Sequence, residues 1–385
     1  MAATRFDSAT LQELKDLGVL SMKDCFNCGS CTGICPLSKD NNRFPRTLMR
    51  HSQLGLIDFE NENVWACATC RSCADQCPRD VDIIDLMKSL RKIVVQMGAG
   101  YMPKPLHRAM VNIASVGNPF GEPAEKRGVF ATELGVKPFA KGTELLLFMC
   151  CYSYYDSVAR RTAIAVVNIL KAAGVDFGIL GTEESCCGES VNKAGNEELF
   201  QKLAEKNICT FNEKGVTRIV TISPHCYQTF ANEYPKLGGK FEVLHYTQYL
   251  AQLIKEGKLK LVGEPGKKVT YHDSCYLGRH NGIYDEPREV LSAIPGLELS
   301  EMPYSQKVSF CCGGGGGRIW QETKKEDRIS DLRLQQAKAT GADILAVACP
   351  YCMVNLEDSR LVNNENIMVE DVAELVWQAT YKELT

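Results

Sequence analysis

The chain has 385 residues, 45% of them apolar and 24% charged, with a net charge of -3 at neutral pH. That is enough chain for two or three domains with a sizeable core, too apolar for disorder to be the default, and too nearly neutral to give an electrostatic reason for binding nucleic acid. Nineteen cysteines stand out; in a reducing compartment dense thiols signify metal ligation or redox chemistry rather than a disulfide framework, which also belongs to shorter chains. Met1–Asp7 carry no apolar leader. No run reaches about 18 uninterrupted apolar residues, the longest candidate being Ala163–Ala173. The expected location is cytoplasmic, with any membrane association made through a partner.

A first helix is predicted over residues 7–20, with Ser8 able to cap it, Leu11, Leu14 and Leu17 in one stripe, and Gly18 to end it. It leads into Cys25-x2-Cys28-x2-Cys31-x3-Cys35-Pro36, and a second copy follows as Cys67-x2-Cys70-x2-Cys73-x3-Cys77-Pro78. Each copy matches the bacterial ferredoxin run, in which three closely spaced thiolates hold one [4Fe-4S] cubane and the fourth reaches across to the other. On that pattern Cys25, Cys28, Cys31 and Cys77 serve one cubane, and Cys67, Cys70, Cys73 and Cys35 the second. Paired zinc sites also use Cys-x2-Cys, but four cysteines per run with a proline after the last favour iron-sulfur. The segments around Leu48 to Leu56 and Ile83–Met97 read as helices, and strand patterns are absent, so residues 1–100 are predicted to form an all-helical ferredoxin domain. Residues 101–142, rich in proline and glycine, read as a connector with one short helix over Leu106–Ala114.

After it the pattern becomes α/β. Strands are predicted over Glu144–Met149, Val175–Leu180 and Arg218–Ile222, and helices over Ser157–Ala173 and Asn196–Glu213, an alternation that argues for a parallel sheet. The order then repeats: strands over Lys268–His272 and Ile344–Ala348, helices over Glu286–Ala293 and Glu326–Ala339. The cysteines superimpose, Cys151-Tyr152 on Cys275-Tyr276, Cys186-Cys187-Gly188 on Cys311-Cys312-Gly313, and Ser223-Pro224-His225-Cys226 on Cys349-Pro350-Tyr351-Cys352. The result is an internal duplication, with one copy in residues 143–262 and the other in 263–385.

The duplicated Cys…Cys-Cys-Gly…Cys-x2-Cys pattern behind a two-cluster ferredoxin resembles the catalytic subunit of heterodisulfide reductases, in the form fused to its ferredoxin subunit. The resemblance extends from about Cys25 to Cys352. It implies an α/β fold with two tandem cysteine-rich (CCG) domains, and a noncubane [4Fe-4S] cluster held in the second by Cys275, Cys311, Cys312, Cys349 and Cys352. The first copy departs from the pattern at Ser223. There Cys151, Cys186, Cys187 and Cys226 remain, with Cys150 beside them, and three outcomes are open: altered noncubane ligation, a four-thiolate cubane, or an empty site. The first two are favoured, since a cubane needs only four sulfurs. Related domains serve dehydrogenases, oxidases and several reductase complexes, so membership does not fix a substrate.

The remaining motifs follow from chemistry. Gly313 and Gly314 open a glycine run through Gly317; without a lysine in Walker spacing it reads as room for backbone to approach sulfide rather than as a phosphate cradle. His272 and His225 neighbour the thiols and are candidate proton donors, against the commoner structural role. Arg318, Arg328 and Arg333 are candidates for an anionic substrate or a partner, the last two more simply a solvated helix face. Cys209, outside every motif, reads as a core residue. The expected function is an iron-sulfur electron-transfer subunit of an anaerobic redox complex, taking electrons from a flavin-containing or iron-sulfur donor and passing them through two cubanes to the noncubane site. The alternative is a disulfide reductase of the coenzyme M-coenzyme B type.

Overall fold

A computed structural model describes residues 8–38, 43–98, 100–263 and 267–380. Met1–Asp7, on which the leader reading and the first position of the first helix rest, lie outside them. The chain divides into two compact units. One comprises Met1–His107, Ser190–Glu198 and Gly313–Ile329; the other comprises Arg108–Glu189, Leu199–Cys312 and Ser330–Thr385.

The first unit is helical, with no strand among the described residues. Its principal helix, Ile83–Met97, starts where Asp82 accepts the Ile84 and Asp85 backbone N–H groups and stops at Gly98 in the left-handed region. Its apolar stripe, Ile83, Leu86, Met87, Leu90, Ile93 and Val94, is buried. The two segments that follow the Cys-Cys-Gly triplets belong to this unit rather than to the sheets. Arg91 holds them there, donating to the Lys193 and Gly316 carbonyls at 3.0 and 2.9 Å, and to Val64 and Cys67 at 2.9 and 2.8 Å.

The second unit holds two parallel four-stranded sheets. Strands β1 (Leu145–Phe148), β2 (Phe177–Gly178), β3 (Arg218–Thr221) and β4 (Glu242–His245) lie in the order β2-β1-β3-β4. Strands β5 (Lys267–Tyr271), β6 (Leu297–Leu299), β7 (Ile344–Val347) and β8 (Met368–Asp371) repeat it as β6-β5-β7-β8. The apolar runs of β1 and β7 are buried throughout, as strands covered on both faces by helices must be. Burying each such side chain stabilises by roughly 1.5–3 kcal/mol. In register, Leu146 pairs with Ile219 in one sheet and Thr270 with Leu345 in the other.

The repeats exchange helices across a common core. Helix Ser157–Ala172 of the first packs on Val372–Ala379 of the second, and Tyr246–Lys255 of the first packs on Asp285–Ser292 of the second. One apolar cluster consequently runs from Leu145 to Ala379 through both sheets.

The connector is more ordered than its composition suggested. It carries two helices, Lys104–Val116 and Glu125–Glu133. Its prolines sit where helices tolerate them, Pro105 in the first turn of one and Pro123 just before the other.

Candidate metal centres

In the ferredoxin segment both cysteine runs use the same backbone device. Asn27 and Gly29 in the first run, and Thr69 and Arg71 at the matching places in the second, have positive φ (61°, 93°, 50° and 66°). The turn of the second run brings the Thr69 N–H onto Cys67 Sγ at 3.3 Å, and past Asp80, also at positive φ, the Val81 N–H reaches Cys77 Sγ at 3.4 Å. The loop is clamped by Gln53, whose amide donates to the Met22 and Cys25 carbonyls at 2.9 and 2.8 Å. Burial pushes the Cys73 thiol up, reinforced by Cys67, Cys70 and Cys35, and burial raises Cys35 with Cys70 and Cys67 acting on it. Cys35 therefore lies in the field of the second run's thiols, while Cys25 and Cys28 act on Cys31.

In each sheet the thiols collect beyond the carboxyl ends of the strands. Cys150 and Cys151 follow β1 and Cys226 follows β3; Cys275 follows β5, and Cys349 and Cys352 follow β7. Since strand order reverses between β1 and β3, and between β5 and β7, the thiols flank the crevice where open parallel sheets place their ligands. Pro224 and Pro350 open the helices that carry Cys226 and Cys352.

The second repeat brings its five sequence-predicted cysteines together. Cys275 and Cys311 are 3.8 Å apart, Cys312 and Cys352 3.3 Å apart, and Cys349 is hydrogen-bonded to Cys352. All five are buried and free of disulfide bonds. Burial pushes Cys352 far above the usual thiol range, and its hydrogen bonds to Cys312 and Cys349 add to this. At Cys349 burial is outweighed by hydrogen bonds from Cys352 and His225, which hold it well below that range. Buried sulfur donors this close, with other thiols as their main polar neighbours, fit a soft-metal or iron-sulfur ligand set. One ring nitrogen of His272 lies with the Cys312 and Cys352 sulfurs, all within 4.8 Å of one another.

His272 is held from behind by Arg333, whose Nε–H donates to Nδ1 at 3.1 Å and so leaves the ring proton on Nε2. Arg333 is fully buried, which overturns the reading of it as a solvated helix face. That reading failed because residues 325–338 form only a single turn followed by the helix Ile329–Lys338, and Arg333 points inward. Arg318 donates to the Gly313 and Ala66 carbonyls at 3.2 and 3.0 Å, and Arg328 is half-buried. Within the glycine run, Gly316 lies where a Cβ would meet the Cys67 carbonyl at 2.4 Å. Its close approach is to ferredoxin backbone.

In the first repeat Cys151 is hydrogen-bonded to Cys186, Cys186 to Cys187, and Cys187 to Cys226. Hydrogen bonds from Cys186 and Cys226 bring Cys187 down to about 6. Two groups that sequence reasoning missed lie against this chain of thiols. Arg127, buried in the connector, reaches Cys151 Sγ at 3.7 Å and stands over the Tyr154 ring. Burial raises Glu184 to about 7, opposed by Arg127 and by the Tyr154 hydroxyl that donates to it at 3.1 Å. Cys209 is exposed and bonded to Glu213 at 3.2 Å, which corrects its assignment to the core. It lies off the buried stripe of its helix, which runs through Phe200, Leu203, Ala204, Ile208 and Phe211.

The two nests face one another. His225 of the first repeat stacks between Tyr276 and Tyr351 of the second, with ring centroids 4.0 and 4.3 Å away, and hydrogen-bonds Cys349. Tyr351, in the place aligned with His225, meets Tyr152 in the place aligned with Tyr276, at 4.9 Å. Burial works against a charge on His225, but Glu189, 3.3 Å from its Nδ1, and the Cys349 thiolate hold it up at about 10.

These sites coincide with family matches. Residues 145–231 and 269–357 each match the cysteine-rich domain model, and residues 21–81 match the 4Fe-4S dicluster domain. The chain is 39% identical over 335 residues to the EtfAB:quinone oxidoreductase of Syntrophomonas wolfei, covering 83% of this chain and 47% of that one. It is 33% identical to the "Probable iron-sulfur-binding oxidoreductase FadF" of Bacillus subtilis, of whose length it spans 62%. A component of the dihydromethanophenazine:CoB--CoM heterodisulfide reductase of Methanosarcina barkeri is 30% identical over 410 residues, with 98% of each chain covered. No helix among the described residues is long and apolar enough to cross a membrane. With that end-to-end match, the chain belongs to the heterodisulfide reductase family of iron-sulfur oxidoreductase subunits.

Proposed function

We propose that the chain relays electrons within a heterodisulfide-reductase-like redox complex, from two ferredoxin sites to the five-cysteine site of its second repeat. The observation that carries this reading is the gathering of Cys275, Cys311, Cys312, Cys349 and Cys352 into one buried nest in a chain that also holds two complete ferredoxin runs. Cys25, Cys28, Cys31 and Cys77 would hold one cubane, Cys67, Cys70, Cys73 and Cys35 the other, and the five-cysteine nest a noncubane cluster. Such groups supply reversible one-electron steps. The chain's own residues exclude water from the second-repeat nest and aim the Arg333-held imidazole of His272 at its sulfurs. Electrons enter on the first unit beside Cys25, where a surface hollow of about 470 Å³ is lined by Phe26, Arg43, Arg46, Arg50 and His51. Its cationic rim suits an acidic electron donor. Stepwise reduction of the purified protein, followed by EPR, should show electrons passing between cluster types. Separate reduction of each type with no exchange overturns the relay.

A disulfide reductase is favoured as a second reading by one observation: the two thiol nests face each other through His225 and Cys349. The balanced reaction would be R–S–S–R′ + 2 e⁻ + 2 H⁺ → R–SH + R′–SH. Turnover of coenzyme M-coenzyme B disulfide with a reduced viologen would promote this reading over the relay, and its absence would remove it.

A further inference from the structure

Within the cysteine motifs the repeats differ at two aligned positions, and the differences are opposite in sense. Ser223 stands where the second repeat has Cys349, whereas Cys150 stands where the second repeat has Ser274. A cysteine missing at one place is matched by an extra one at another.

The contacts show that the two places serve one spot. In the second repeat Cys349 immediately precedes the helix Pro350–Val362 and makes no capping bond with its side chain. Its sulfur bonds Cys352, which also bonds Cys312. In the first repeat the Ser223 hydroxyl accepts the His225 backbone N–H at 3.3 Å and is committed to capping the short helix behind it. The thiol beside Cys226 is supplied from the other side of the crevice: Cys226 bonds both Cys150 and Cys187. Cys150 thus stands to Cys226 as Cys349 stands to Cys352.

The backbone carries a second, independent sign. Cys150 has φ of 72°, in the left-handed region, and Ser274 is not among the residues found there. A non-glycine residue in that region is strained and persists where the surroundings demand it.

We infer that Cys150 is the fifth thiolate of an iron-sulfur site in the first repeat, taking the place left by Ser223, so that both repeats present five thiolates to a cluster. This inference rests on the five-cysteine reading of the second repeat. It makes the first repeat a rearranged site whose fifth sulfur comes from the end of β1 rather than of β3.

The test uses the full chain, reconstituted anaerobically with iron and sulfide and followed by iron and sulfide counts, Mössbauer and EPR spectra. With four [4Fe-4S] sites, wild type should carry about 16 iron atoms per chain. Cys150→Gly removes the thiol and relieves the backbone, so the apoprotein should melt no lower than wild type. The reconstituted variant should lose about four iron atoms or, at full iron, show a changed first-repeat spectrum. Adding Ser223→Cys to Cys150→Gly should return the iron content, and Cys209→Ala should leave everything unchanged. Wild-type iron and unchanged spectra in Cys150→Gly overturn the inference, as does wild-type protein with only about 12 iron atoms. A fall in apoprotein melting temperature with intact iron and spectra would assign Cys150 a packing role instead. Cys312→Ala separates the two readings: if it leaves iron and spectra unchanged, the second-repeat site itself fails.

Discussion

At the scale of single residues, three of the thiol sites come with a cation that is invisible in their motifs. Arg91 lies beside Cys67, Arg127 beside Cys151, and Arg333 behind His272, and all three are buried. Buried guanidinium groups persist only with fixed partners, and here carbonyls, a thiol and an imidazole supply them. His272 Nε2 is buried without a hydrogen-bond partner among the described residues, and hydrogen bonds to cluster sulfur raise reduction potential. His272→Leu should therefore lower the midpoint potential of the second-repeat site by on the order of tens of millivolts. His272→Gln should restore part of it, and a redox titration read by EPR would measure both. An unchanged potential in His272→Leu would leave the histidine a packing role.

At the scale of elements, the aligned helices Tyr246–Lys255 and Val372–Ala379 are capped by different residues, His245 and Asp371, each within a capping box. Burial lowers His245 to about 3. A neutral imidazole of this kind gives stability that is full above its ordinary value of 6.5 and is lost as pH falls. Burial raises Asp371 to about 8, opposed by the Tyr246 hydroxyl at 2.6 Å, so its contribution is full near pH 3.8 and is lost as pH rises towards 8. Between about pH 4 and 6.5 the two slopes oppose one another, and above 6.5 the loss from Asp371 continues beside that from His225, held up at about 10. Urea unfolding at a series of pH values should show Asp371→Asn reducing the decline between pH 6.5 and 8, with the part due to His225 remaining. A decline as steep in the variant as in wild type would assign all of it to other groups.

The glycine run belongs to the same scale. Gly316, at φ 61°, would place a Cβ 2.4 Å from the Cys67 carbonyl, whereas Gly282, at φ 73°, faces open space. Gly282→Ala should cost about 1–2 kcal/mol from backbone conformation alone. Gly316→Ala should cost roughly 2–4 kcal/mol and also disturb metal loading at the Cys67 run, because overpacking adds to the conformational cost. Thermal melts and iron counts of the two variants would separate these effects, and equal losses would remove the packing explanation.

For the whole molecule, the cationic hollow beside Cys25 contrasts with a net charge of -3. Charge pairs at a docking surface act mainly on association rate and are screened by salt. Arg46→Glu combined with Arg50→Glu should slow reduction by an acidic flavoprotein or ferredoxin by about ten-fold or more at low ionic strength, with little effect at about 0.5 M salt. Stopped-flow reduction across a salt series would test this, and equal rates at low salt would place electron entry elsewhere.

The sequence by itself determined the order of modules, the duplication and the central strands β1, β3, β5 and β7, because cysteine spacing and continuous apolar runs are local properties of the chain. Edge strands such as β4 and β6 were missed, being short and half-exposed, and so carrying no clear period. Tertiary structure decided what depends on distant residues meeting. It buried Arg333, exposed Cys209, and joined the segments after the Cys-Cys-Gly triplets to the ferredoxin unit through Arg91. It also brought Cys150 beside Cys226 across the crevice between β1 and β3. No spacing rule carries that last pairing, since a cluster selects its sulfurs by where they converge in space, and only the parallel sheet with its reversing strand order makes those two places adjacent.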